Sequence, residues 1–148
     1  MGIHLRVLAF HRAPLSGKYI DTYRSDRVGD AMNKDVLIVV NDAPYGTEKA
    51  YNALRLAIAL QARDDKVRIF LMGDAVFCGL PKQETPPGYY NVTEMLGRVI
   101  AKEGRVAACA SCMKSRGLSV EGLLSGVEKG SMAILSEWTE DCDKVHSF

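Results

Sequence analysis

Val36-Leu37-Ile38-Val39-Val40, followed by Asn41-Asp42-Ala43-Pro44-Tyr45-Gly46, is the stretch that decides the fold. Five consecutive β-branched or apolar residues without polar alternation fit a strand buried on both faces, and such strands belong to parallel sheets covered by helices. The segment from Asn41 to Gly46 then breaks the strand as a turn. Working outward, residues 48–62 read as a helix with Thr47 as its N-cap and apolar residues at 50, 51, 53, 54 and 56 through 60. That apolar surface is too wide for one neighbour, so one side is expected against the sheet and the other against a second helix or a second subunit.

Val67-Arg68-Ile69-Phe70-Leu71-Met72 is the second expected strand, ended by Gly73-Asp74, and residues 80–90, with Pro81, Pro86, Pro87 and Gly88, form an irregular loop. Asn91 stands three residues before Glu94 as in a capping box, with Val92, Met95, Leu96, Val99 and Ile100 following at helical spacing. Arg105-Val106-Ala107-Ala108-Cys109 is the third strand and ends on a cysteine. Residues 119–124 and 131–141 read as shorter helices, and 144–148 as an edge strand. The alternation predicts a three-layer α/β sandwich with a mainly parallel sheet of flavodoxin-like topology.

Composition narrows the function classes. The 148 residues carry 19 Lys and Arg against 18 Asp and Glu, a formal charge of +1, so the footprint of a nucleic-acid binder or an anionic-membrane binder is absent. The longest apolar run, 56–60, is far short of the ~20 residues a membrane helix needs. The N-terminal stretch is broken by Arg6 and lacks a small-residue cleavage site, so no signal peptide is expected. Four cysteines, Cys78, Cys109, Cys112 and Cys142, are the usage of a reducing compartment, and the cytoplasm is the expected location. Residues 1–31 carry net charge +2 and no clean period, whereas 32–148 carry net −1. We therefore expect an N-terminal extension or arm over 1–34, either dispensable or packed on a neighbouring subunit, and one α/β domain over 35–148.

In sheets of this kind the ligand crevice lies outside the carboxyl ends of the strands. Those ends carry Asn41, Asp42, Gly73, Asp74 and Cys109, with Tyr45 and Gly46 in the adjoining turn. Lys114 and Arg116 follow Cys109 closely enough to supply positive charge, which makes Cys109 the candidate thiolate, against a reading as a small buried apolar side chain. Cys109-Ala110-Ser111-Cys112 has redox-motif spacing without a Trp-Cys-Gly-Pro-type surround. A zinc site would have to recruit Cys78, Cys142 or His146 from about 30 residues away, so no metal is expected. Asp141 and Asp143 oppose ionisation of Cys142. Cys78 is either core or crevice. Asp42 and Asp74 read as turn or capping residues, or as a general acid or base. No histidine lies near the strand ends, which disfavours a Cys-His hydrolase, and neither common nucleotide-binding loop is present, so no cofactor is expected. The stripe ending at Trp138 is expected in a core or a subunit contact.

Several blocks, in order, carry a family likeness: Asn41 to Gly46, Asn52-Ala53-Leu54-Arg55-Leu56-Ala57-Ile58-Ala59-Leu60, Phe70-Leu71-Met72-Gly73-Asp74-Ala75-Val76, Gly88-Tyr89-Tyr90-Asn91, Cys109-x-x-Cys112-x-x-x-Arg116-Gly117, and the ending Asp143 to Phe148. Over 36–148 the chain resembles the DsrE/DsrF-like sulfur-relay family, and within it the YchN-like branch. The resemblance implies a homohexamer whose third-strand cysteine carries sulfane sulfur as a persulfide, a sulfurtransferase activity served by donor and acceptor proteins. The family spacing of eight residues from active cysteine to the Arg-Gly glycine is met by Cys109 and Gly117. Cys112 matches the YchN-like branch and not the single-cysteine relay proteins, whereas Cys78 and Cys142 inherit no role. Two alternatives stand beside this: a non-catalytic hexameric module binding a small anion or metabolite, and a thiol-disulfide oxidoreductase working through Cys109 and Cys112.

Overall fold

The computed structural model describes residues 33–148. The expectations for the extension therefore lie outside the described residues, apart from its last two positions. Five parallel strands, β1 (Asp35–Val40), β2 (Lys66–Leu71), β3 (Arg105–Cys109), β4 (Val127–Gly130) and β5 (Lys144–Ser147), form one sheet in the order β4-β3-β2-β1-β5.

The unbroken apolar run in β1 reflects burial on both faces. Successive side chains of a strand point to opposite sides, and Val36, Ile38 and Val40 enter one core while Leu37 enters the other. Ile69 and Leu71 repeat the division against Phe70, and Val106 and Ala108 against Ala107. The first face is covered by helices α1 (Lys49–Gln61) and α2 (Val92–Ala101) and by Met113 and Leu123 further along the chain. Among the described residues, the second face is covered by helix α4 (Met132–Asp141), whose one fully buried side chain is Trp138.

Asn91 caps α2, its side-chain oxygen accepting the Glu94 N–H at 3.0 Å. Ser131 caps α4 in the same way, accepting the Ile134 N–H at 3.2 Å. Helix α1 begins one residue later than expected, so its N-cap is Glu48, without a side-chain cap bond, rather than Thr47, whose Oγ1 accepts the Lys49 N–H at 3.4 Å from just ahead of it.

The departures have physical causes. Residues 119–124 make a single 3-10 turn, Val120–Gly122, rather than a helix. Gly122 and Gly126 weaken helix formation there, and burial of Leu123 in the first core fixes the extended exit. Strand β4 gave no signal, because Val-Glu-Lys-Gly is a short edge strand with a charged middle. Its Gly130 is required: a Cβ would meet the Ala108 carbonyl oxygen at 2.9 Å and the Phe70 ring at 3.0 Å.

The order 4-3-2-1-5 corrects one detail, since flavodoxin itself runs 2-1-3-4-5. Here β1 to β4 step in one direction with their connections on the first face, and α4 then crosses the second face to place β5 beside β1. The connections leaving adjacent strands therefore diverge between β3 and β4. That is the topological switch point at which α/β sheets open a crevice, and Cys109 and Gly130 face each other across it in register.

Candidate functional site

Small residues bring β3 to the site. Ala107 and Ala108 are fully buried in the two cores, and Cys109 follows at the strand end, half-buried, as the N-cap of the short helix α3 (Ala110–Lys114). Its sulfur accepts the backbone N–H of Cys112 at 3.3 Å and lies 3.3 Å from Ser111 Oγ. A backbone N–H directed at a sulfur is a contact of the kind that favours thiolate over thiol. In the structure Cys109 and Cys112 are joined as a disulfide, Cα atoms 5.2 Å apart. Closing so short a loop adds at most about 2 kcal/mol of chain-entropy stabilisation, against about 4.7 for a hundred-residue loop. The pair is therefore better placed for exchange chemistry than for holding the fold.

Arg116 and Asp74 join this centre in an arrangement that spacing along the chain does not reveal. Arg116 Nε and Nη2 bind Asp74 Oδ1 at 2.9 and 2.7 Å, and Nη1 donates to the Cys112 carbonyl at 3.1 Å. The Arg-Gly pair has a geometric reason. Gly117 takes φ +68°, which lets Leu118 N–H return to the Met113 carbonyl at 2.9 Å and closes the end of α3 as a Schellman-type turn. Arg116 is consequently occupied as a clamp between the end of β2 and α3, rather than a free cation beside the sulfur. Lys114 instead lines a cavity of about 310 Å³ on the flank of α3, with Ser111, Ser119, Glu121 and Lys129 around an apolar floor that includes Met113.

The remaining candidates stay at the β1 end. Asn41 Nδ2 donates to Ser147 Oγ at 3.1 Å and to the Phe148 carbonyl at 3.0 Å, tying the chain after β5 to β1. Asp42 accepts from Thr47 Oγ1 at 2.9 Å and pairs with Lys49 at 3.3 Å. The Tyr45 hydroxyl donates to Gln83 Oε1 at 2.7 Å and accepts the Val92 N–H at 3.3 Å, while Gly46 turns the chain at φ +109°. Two strand spacings, about 10 Å, separate β1 from β3. The sheet thus brings Cys109, Cys112, Asp74 and Arg116 together, and engages Asn41, Asp42, Tyr45 and Gly46 in the β1–α1 connection. Ser111 was missed; its place between the two cysteines in the first turn of a helix was the available signal.

The other thiols differ sharply. Cys78 is core, 1% exposed, and burial pushes its thiol up to about 12. Cys142 is half-buried under α4, and its thiol is raised first by that burial, with Arg68 opposing and Asp35, Asp141 and Asp143 adding to it. In the reduced folded protein near neutral pH, Cys109 is expected to alkylate faster than Cys142, and Cys78 to react only on unfolding. Time-resolved mass mapping checks the order, and early labelling of Cys78 would contradict it. Among the described residues no group of three or more His, Cys, Asp or Glu side chains is placed to hold a metal ion. No helix among them is long and apolar enough to cross a membrane.

Fold and site together define a parallel α/β protein with a dithiol at the switch point of its sheet. The model of the DsrE/DsrF-like family matches residues 34–148, and the chain belongs to that family. It is 44% identical over 115 residues to protein YchN of Escherichia coli (strain K12), covering 76% of this chain and 97% of that one. It is 29% identical over 114 residues to a TusC homolog of Aliivibrio fischeri, covering 74% of this chain and 95% of the relative. Among solved structures, the crystal structure of the ychN protein from E. coli superposes with a TM-score of 0.72 at 43% identity, covering 79% of this chain and all of that one. A protein of unknown function from Methanobacterium thermoautotrophicum shares the fold at 18% identity, with a TM-score of 0.58 and coverage of 78% and 99%.

Proposed function

We propose that the protein is a sulfur-relay carrier of the cytoplasm, in which reduced Cys109 takes sulfane sulfur from a donor persulfide and passes it to an acceptor thiol. The observation that carries this reading is the half-buried Cys109 sulfur at the β3/β4 switch point, facing the Cys112 N–H and the Ser111 hydroxyl, in a chain of the DsrE/DsrF-like family. In the loading step the Cys109 thiolate attacks the terminal sulfur of the donor, the donor S–S bond breaks, and the donor leaves as a thiolate. Transfer is the same exchange run towards an acceptor, with no net oxidation. Exchange needs thiolate character and access, and a half-buried sulfur that accepts the Cys112 N–H at the end of β3 supports that reading.

The test is intact mass after brief exposure of the reduced protein to a low-molecular-weight persulfide, with rapid alkylation to trap the product. The expected result is a gain of one sulfur, about 32 Da, on the Cys109 peptide. A Cys109 that stays unmodified when folded, yet reacts once denatured, would favour the anion- or metabolite-binding module instead. The Cys109–Cys112 disulfide favours a second reading, a thiol-disulfide oxidoreductase, in which Cys112→Ser loses all activity.

The carrier is proposed to work as a homohexamer. Helix α1 keeps Tyr51, Leu56, Ile58 and Leu60 only partly buried against its own core, and Tyr89 and Met132 are exposed by 63% and 67%. Light scattering at micromolar concentration is expected to report the oligomer. A monomer at that concentration would contradict this part of the proposal.

A further inference from the structure

Building on the carrier reading, we propose that Cys112, held by the Arg116–Asp74 clamp, is a resolving cysteine that discharges an unclaimed persulfide on Cys109 as hydrogen sulfide. The juxtaposition is specific. The two sulfurs are within bonding reach across one turn, and the Cys112 N–H already points at Cys109 Sγ. The Cys112 carbonyl is fixed by Arg116 Nη1, whose guanidinium is in turn anchored on Asp74 at the end of β2. Arg116 and Asp74 touch no reacting atom. They act as positioning residues that hold the backbone of Cys112 in place for attack.

The step balances within the protein. The Cys112 thiolate attacks the Cys109 sulfur of Cys109–S–SH, and the bond between that sulfur and the terminal one breaks. The terminal sulfur leaves with the electron pair as hydrosulfide, and a Cys109–Cys112 disulfide forms. The two protein thiols are oxidised and the sulfane sulfur is reduced, so discharge needs no outside oxidant. Return to the carrier form requires a dithiol reductant, which gives up two electrons and becomes a disulfide. The site is thus a branch point. A loaded chain that meets an acceptor transfers sulfur, and one that does not releases sulfide and rests as the disulfide.

Reduced wild type, Cys112→Ser and Asp74→Ala are loaded with a low-molecular-weight persulfide, freed of donor, and followed by intact mass and a sulfide electrode. Wild type is expected to release one equivalent of sulfide and end two hydrogens lighter than the dithiol. Cys112→Ser is expected to keep the extra sulfur and release none over the same period. Asp74→Ala, which removes the oxygen that accepts both Arg116 N–H groups, is expected to load but discharge about tenfold more slowly, a change in the ratio of discharge to loading that a general loss of stability does not produce. Wild type that retains its sulfur as long as Cys112→Ser, or releases sulfide without forming the disulfide, overturns the inference while leaving the carrier reading intact. Asp74→Ala with the wild-type ratio overturns the clamp's role. If neither wild type nor Cys112→Ser takes up sulfur, the carrier reading fails and this inference fails with it.

Discussion

Replacing Trp138 by alanine is expected to destabilise the protein by about 3–5 kcal/mol, the range for a large aromatic removed from a core. Trp138 is 1% exposed and is the one fully buried side chain of α4. Its ring meets Phe70 edge-on at 6.3 Å between centroids, and the guanidinium carbons of Arg105 and Arg68 lie 4.9 and 5.9 Å from its centre. Removing it leaves a cavity over Leu37, Phe70 and Ala107, and loosens the helix that carries the chain from β4 to β5. For a chain of this size the loss corresponds to a fall in Tm of roughly 10 °C. Trp138→Phe should recover part of it. Thermal unfolding decides the matter, and a loss under about 1 kcal/mol would show that α4 does not depend on this side chain.

Cys109→Ser is expected to remove sulfur uptake from the persulfide donor altogether, a fall of at least about a hundredfold. A serine hydroxyl stays protonated near neutral pH and forms no persulfide, and neither Cys78, raised to about 12, nor the half-buried Cys142 offers a substitute thiolate. Cys112 would remain with its backbone N–H aimed at an oxygen. Uptake by Cys109→Ser at the wild-type rate, localised to Cys112, would move the carrier role to that residue.

Much of the frame was legible because the physics that forms it is local. Val36 to Val40 had to be a doubly buried strand, Asn91 and Glu94 had to begin a helix, and Arg105 to Cys109 form a strand over those same residues. What stayed hidden depends on contacts between distant parts of the chain. Strand β4 is defined by pairing with β3 rather than by apolar residues of its own, so the switch point it creates beside Cys109 could not be read in advance. Arg116 was visible as a nearby positive charge, but its partner Asp74 lies 42 residues away. Only the fold turns that charge from a source of thiolate stabilisation into a clamp on Cys112. Asn41, Asp42 and Tyr45 show the converse. They sit at a strand end, as the crevice argument requires, yet their hydrogen bonds are spent on the β1–α1 connection and on the chain after β5.

The central claim, that Cys109 both receives and hands on sulfane sulfur, is tested most directly by following isotopically labelled sulfur through the reduced Cys112→Ser protein, in which the internal discharge route is removed. The protein is loaded from a labelled low-molecular-weight persulfide, freed of donor, and challenged with an acceptor thiol. The account predicts that one labelled sulfur per chain appears on the Cys109 peptide and then moves to the terminal position of the acceptor's persulfide as the protein returns to its starting mass. Label that never binds Cys109, or that binds and cannot be moved to any thiol, would contradict it.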